Sequence, residues 1–155
     1  MRSRVRKTSK VGLTTGLILG AASILAAGTA PAQALDVTVS GLRNGNGNVV
    51  ICIWRVQDKG FPHCGTGRPF KKLTVPATAP HVALKDLPPG EYAISLFHDE
   101  KKRGKVETNF LGMPTSGIGL ANNPRFGPTS PPTFEKTRVV VPARGALDIT
   151  VKYLF

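Results

Sequence analysis

The sequence predicts an all-β chain, a single antiparallel β-sandwich of about seven strands. Three observations carry this. Apolar residues alternate with polar ones in short runs, as in Leu35-Asp36-Val37-Thr38-Val39, the pattern of a strand with one buried face. Gly-, Pro- and Asn-rich turns separate the runs. No segment after Ala34 carries an apolar stripe at helical spacing long enough for a helix.

The first 34 residues read as a leader. Arg2, Arg4, Arg6, Lys7 and Lys10 precede an apolar run from Val11 to Gly28, and Ala32-Gln33-Ala34 supplies a small-x-small cleavage site. The competing reading is an uncleaved membrane anchor, but the run is short for a span and is diluted by Gly12, Thr14, Thr15, Gly16, Gly20 and Ser23. Cleavage after Ala34 is expected, with export to the periplasm or the extracellular space. The membrane then meets the chain only through the leader. Five of the 21 basic residues and none of the nine acidic ones lie in that leader, so residues 35–155 keep 16 basic residues against nine acidic ones. That surplus permits attraction to anionic surfaces but does not indicate a nucleic-acid partner.

Residues 35–155 suffice for one domain with one core. Leu35–Gly41 is the first expected strand. Two Asn-Gly pairs between Arg43 and Asn48 predict a hairpin into a return strand from Val49 to Trp54. That strand is apolar on both faces, so its outer side needs a cover. A bridge from Cys52 to Cys64 would pull the loop 58–68 over it, and an oxidising compartment favours such a bridge over free thiols or half a metal site. Weaker strands at Lys71–Val75 and His81–Leu87, bounded by Pro76 and Pro80, suit sheet edges. Leu87-Pro88-Pro89-Gly90 is a tight turn into a central strand from Glu91 to His98, with Tyr92, Ile94 and Leu96 on its inner face. Phe134–Val141 and Ala146–Phe155 are read as a last hairpin, turning at 142–145, with Leu147, Ile149, Val151 and Tyr153 pointing inward.

Residues 99–133 break the rhythm. They carry five glycines and five prolines without a convincing strand. So long a connection in a small domain is either functional or disordered. Phe110, Leu111, Met113, Ile118, Leu120 and Phe126 are spaced to anchor it, and an ordered excursion packed on one end of the sheets is expected.

These residues resemble the secreted bacterial family known as domain of unknown function 2141. The likeness runs over essentially the whole of residues 35–155. It rests on LDVTVSGL, NVVICIW, Phe61-Pro62, LPPGEYAISLFHDE, Gly104, Asn109, Gly112-Met113-Pro114, GIGLANN at 117–123 and Pro132-Thr133-Phe134-Glu135. It implies one exported β-sandwich module, transthyretin-like or immunoglobulin-like, and no established activity. Members tend to read like HDENGNGKLDTN after the central strand, which looks like a short calcium loop. Here the stretch keeps Gly104, Asp99 and Glu107, but Lys101 and Arg103 stand at two intermediate ligand positions.

Three functional readings follow. The leading one is a non-enzymatic exported module without a cofactor. It would bind an anionic envelope polymer or another exported protein through the 99–133 loop, with Lys101, Lys102, Arg103, Lys105 and Arg125 supplying positive potential. In it, Pro88, Pro89, Gly90, Tyr92 and Gly104 shape turns. His98 would hydrogen-bond the backbone of the 109–126 loop, and Asp99 would cap the turn toward Gly104. The second reading is a divalent-metal module at Asp99 and Glu107. The third is a hydrolase with His98 as base and Ser116 or Ser130 as nucleophile, although no serine sits in a Gly-x-Ser-x-Gly elbow. His63 and His81 are expected on the surface, and Trp54 in the packed interior.

Overall fold

The computed structural model describes residues 34–141 and 145–154. The leader read at residues 1–34 falls outside them apart from Ala34, as does most of the 142–145 turn. Among the described residues, eight strands form two sheets: β1 (Leu35–Ser40), β2 (Asn48–Trp54), β3 (Lys71–Pro76), β4 (His81–Leu84), β5 (Gly90–Asp99), β6 (Ile118–Leu120), β7 (Arg138–Val141) and β8 (Ala146–Thr150). Among the described residues, helical geometry is limited to one 3-10 turn at Glu135–Thr137.

The smaller sheet has the order β4-β1-β8, and the larger runs β3-β2-β5-β6. β7 also pairs with β5, over residues 90–93, while β6 pairs with it over residues 95–97. Two short strands thus lie end to end along one edge of β5. The expected edge positions of β3 and β4 are observed.

The sheets share one apolar cluster. Val37, Val39, Leu84 and Ile149 from the smaller sheet join Ile51, Ile53, Ile94 and Leu96 from the larger. Side chains of opposite parity on β2 and β5 form a second cluster on the outer face: Val50, Cys52, Trp54, Ala93 and Phe97, with Cys64, Phe61, Val106 and Phe134 over them. This explains why β2 is apolar throughout. One face meets the opposing sheet and the other is roofed by the loop that carries Cys64. The Cys52–Cys64 disulfide fastens that roof.

Three expectations are corrected. Strands β1 and β2 are not a hairpin: β1 pairs with β4 and β8, and β2 with β3 and β5. The Asn-Gly chemistry does make a turn, with Asn44 Oδ1 accepting the Asn46 N–H at 2.9 Å. The chain, however, uses it to cross between sheets. Gly47 sits there at φ 70° against the main chain of Asp99, where a Cβ would collide. Nor are β7 and β8 a hairpin, because they too belong to different sheets, and β8 lies parallel to β1. Finally, β6 is a strand within the segment read as strandless. Gly119 is buried there, and a side chain at this position would strike Leu96 and Ile149.

Asn122 and Asn123, both with left-handed φ, follow β6 and tie the two sheets together. Asn122 Nδ2 donates to Arg138 O on β7 at 2.9 Å. Asn123 accepts the Thr150 N–H at 2.8 Å and donates to Asp148 O at 3.0 Å, so its amide stands beside β8 like a short strand.

Candidate functional site at the loop end of the sandwich

The segment leaving β5 is shaped by its own side chains. Buried Asp99 accepts the Arg103 N–H at 2.9 Å and the Gly104 N–H at 2.6 Å, one on each carboxylate oxygen. Lys102 and Gly104 turn the chain through positive φ. Glu107 then receives Lys101 at 3.2 Å and Arg103 at 3.3 Å. Two of the four cations in this turn are therefore paired locally, while Lys102 and Lys105 form no ion pair among the described residues. Exposed pairs of this kind contribute at most about 1 kcal/mol each.

Beyond Glu107 the chain makes a small closed loop. Thr108 bridges to Pro114, and Asn109 Oδ1 accepts the N–H groups of Leu111 and Met113, both at 3.0 Å. At its tip Phe110 and Leu111 are 95% and 71% exposed, so these two do not anchor the segment as expected, although the turn that carries them is fixed. Ser116 is buried, and its Oγ accepts the Glu107 N–H at 3.0 Å.

The opposite wall is the disulfide loop. Trp54 Nε1–H donates to Ser95 Oγ at 2.8 Å, and Ser95 donates in turn to Pro62 O at 3.0 Å. Phe61 meets Trp54 edge to face at 5.8 Å, with a cis bond joining Phe61 to Pro62. Between the two walls lies a cleft of about 510 Å³. Phe97 and Cys64 line it from the outer-face cluster. Val106, Met113, Ile118 and Phe126 supply much of the rest, and Lys105 is among its lining residues. A volume and an apolar lining of this kind are typical of small-molecule sites.

His98 lies elsewhere, at the rim of the inner core. Its imidazole is fully buried, with Nε2 2.7 Å from Asn46 O and Nδ1 2.6 Å from Tyr153 Oη. A carbonyl only accepts, so Nε2 carries a proton, and in the neutral ring Nδ1 accepts from the tyrosine hydroxyl. The side chain thus holds the β1–β2 crossing and the C-terminal segment. It does not bond the 109–126 backbone, although its main-chain N–H donates to Gly117 O at 2.9 Å. Tyr153 also accepts the Arg43 N–H, and the Arg43 guanidinium covers its ring at 4.6 Å. Burial pushes the Tyr153 phenol up, which keeps it a donor. Burial also works against the charged form of Glu100, but hydrogen bonds from Arg43 and Asn44 outweigh it and hold the carboxyl below its ordinary value.

With both ring nitrogens occupied, His98 pairs with neither Ser116 nor Ser130. His98→Ala is expected to cost about 2 kcal/mol, because Asn46 O and the Tyr153 hydroxyl lose their partner in a buried setting. Thermal unfolding together with limited proteolysis at residues 41–47 measures this, and an unchanged profile in both contradicts the role.

At the other end of β5, Tyr92 Oη donates to Pro88 O at 2.9 Å and so closes the turn through Pro89 and Gly90. His63 and His81 are exposed. Among the described residues no three His, Cys, Asp or Glu side chains stand close enough to hold a metal ion. Arg125 is exposed and close in sequence to Phe126 of the cleft. Ser95, Asn109 and Tyr153 were not singled out by sequence reasoning as site residues. Each left a trace there: Ser95 as a polar residue on the outer parity of an apolar strand, Asn109 within the family likeness and Tyr153 as an inward-facing residue.

Comparison with curated proteins and with solved structures finds no match. The family model described as an uncharacterized protein conserved in bacteria, DUF2141, matches residues 37–150. The match runs from β1 to β8 and takes in both sheets, the disulfide and most of the residues that build the cleft. The chain therefore belongs to this uncharacterized bacterial family, DUF2141.

Proposed function

We propose that the protein is an exported, non-enzymatic binding module of the envelope or the extracellular space, and that it receives its partner at the loop end. The cleft of about 510 Å³ is the observation behind this reading. Its walls come from the disulfide loop and from residues 105–114 and 126–132, each held by hydrogen bonds or by the bridge. Lys105 lines the cleft and brings positive charge to it, Lys102 and Arg125 are close in sequence to its walls, and Lys101 and Arg103 add less because Glu107 answers both. Charge of this kind suits an anionic partner and speeds encounter.

The rival readings draw less support. Asp99 uses both carboxylate oxygens on backbone N–H groups, and Glu107 faces two cations. His98 is buried behind its own partners, away from solvent.

The test compares the wild type with Met113→Trp, which fills the cleft from a loop position, as bait for envelope extract at low and high salt. Capture that is lost in the variant, with cooperative thermal unfolding retained, is the expected result. Capture that survives both Met113→Trp and the pair Phe110→Ser and Leu111→Ser places the binding surface elsewhere and overturns the reading.

A further inference from the structure

We propose that the cleft takes a single acyl chain with an anionic head, a carboxylate or phosphate, held at Lys105. The proposal rests on the binding-module reading and names its ligand class.

Four observations lead there. The cleft volume of about 510 Å³ equals about 17 groups the size of a water at about 30 Å³ each, room for a long alkyl chain. Its lining is dominated by side chains such as Phe97, Val106, Met113 and Ile118. A peptide would bring a backbone amide into this space with every residue and find few partners, whereas an alkyl chain brings no group that needs one. Charge selects the head. Only His63 and Lys105 are ionisable among the lining residues, and no carboxylate is present. Lys105 is exposed and forms no ion pair among the described residues. A cation at the edge of an apolar cleft complements an amphiphile with one negative end.

The fourth observation is the tip. Phe110 and Leu111 are held out to solvent by the Asn109 loop, directly before Gly112, Met113 and Pro114 of the cleft wall. Exposed apolar side chains on a fixed turn are unfavourable in water and suit contact with an acyl-rich phase. They place such a phase beside the cleft, so a chain passes from one apolar setting to another.

The experiment displaces a fluorescent fatty acid, cis-parinaric acid, from the purified protein below the concentration at which the probe self-associates. Competitors are saturated fatty acids of increasing length, a lysophosphatidic acid and the uncharged alcohol of matching length. Affinity is expected to rise about threefold or more per added methylene until the cleft is full. Both anionic classes should compete, and the better of the two identifies the natural head. The alcohol should bind at least tenfold more weakly, and Lys105→Gln should abolish that difference without weakening the alcohol. Met113→Trp should lose the probe while unfolding cooperatively. Failure of the probe to bind, an alcohol as tight as the acid in the wild type, or undiminished binding by Met113→Trp overturns the proposal. If the probe fails while Met113→Trp still loses capture from extract, the ligand class falls and the binding module stands. If capture also survives in the variants, both fall.

Discussion

Replacing Cys52 and Cys64 together by alanine is expected to destabilise the protein by about 3 kcal/mol, the chain-entropy value for a closed loop of about this length. The two cysteines are 12 residues apart and both are buried. In a domain of this size the loss lowers Tm by roughly 10 °C or more. The effect should not be confined to stability. The bridge holds the loop that carries Phe61, Pro62 and Cys64 over the outer face of β2 and β5, and that loop is one wall of the cleft. Thermal unfolding with and without reductant on the wild type, beside the double variant, measures the first effect. Probe binding measures the second. A loss below 1 kcal/mol, or cleft binding unchanged in the reduced protein, contradicts this role.

Trp54→Ala is expected to cost about 3–5 kcal/mol, the range for deleting a large buried aromatic. The indole is fully buried, packs against Phe61 and starts the hydrogen-bond chain through Ser95 to Pro62. Trp54→Phe separates the two contributions. It keeps most of the packing and removes the donor, for an expected loss of about 1 kcal/mol. Trp54 is the sole tryptophan, so unfolding is followed by far-ultraviolet circular dichroism in urea. A Trp54→Ala variant as stable as the wild type would mean that the ring is not a core element.

Local chemistry was legible in the sequence, and partners far along the chain were not. Short apolar and alternating runs locate seven of the eight strands, although β7 starts four residues later than expected, after the 3-10 turn, and β8 stops at Thr150; the double-sided pattern of β2 announces the disulfide roof. The alternation in Leu147, Ile149, Val151 and Tyr153 reads correctly as inward-facing. The Asp99 cap was also legible, since a carboxylate before a Gly104 turn bonds groups four and five residues away. What failed was assignment to sheets. Turn residues, Asn-Gly before β2 or Pro and Gly before β8, report that the chain changes direction, but not whether the next strand joins the same layer, so both expected hairpins were wrong. β6 escaped because three residues centred on a glycine give no periodic signal. The partners of His98 escaped because Asn46 and Tyr153 lie 52 and 55 residues away. The cleft needs segments from near residues 62, 106, 113 and 127 at once, and only the folded chain brings them together.

The parallel ladder between β1 and β8 has a consequence for synthesis. The first strand of the sandwich finds one of its two neighbours only in residues 146–150, more than a hundred positions later. A ribosome that has released everything up to β7 has made a chain whose smaller sheet still lacks a third of its strands. Contacts spanning so much sequence form slowly. The nascent chain is therefore left with an open layer until residues 146–150 have emerged.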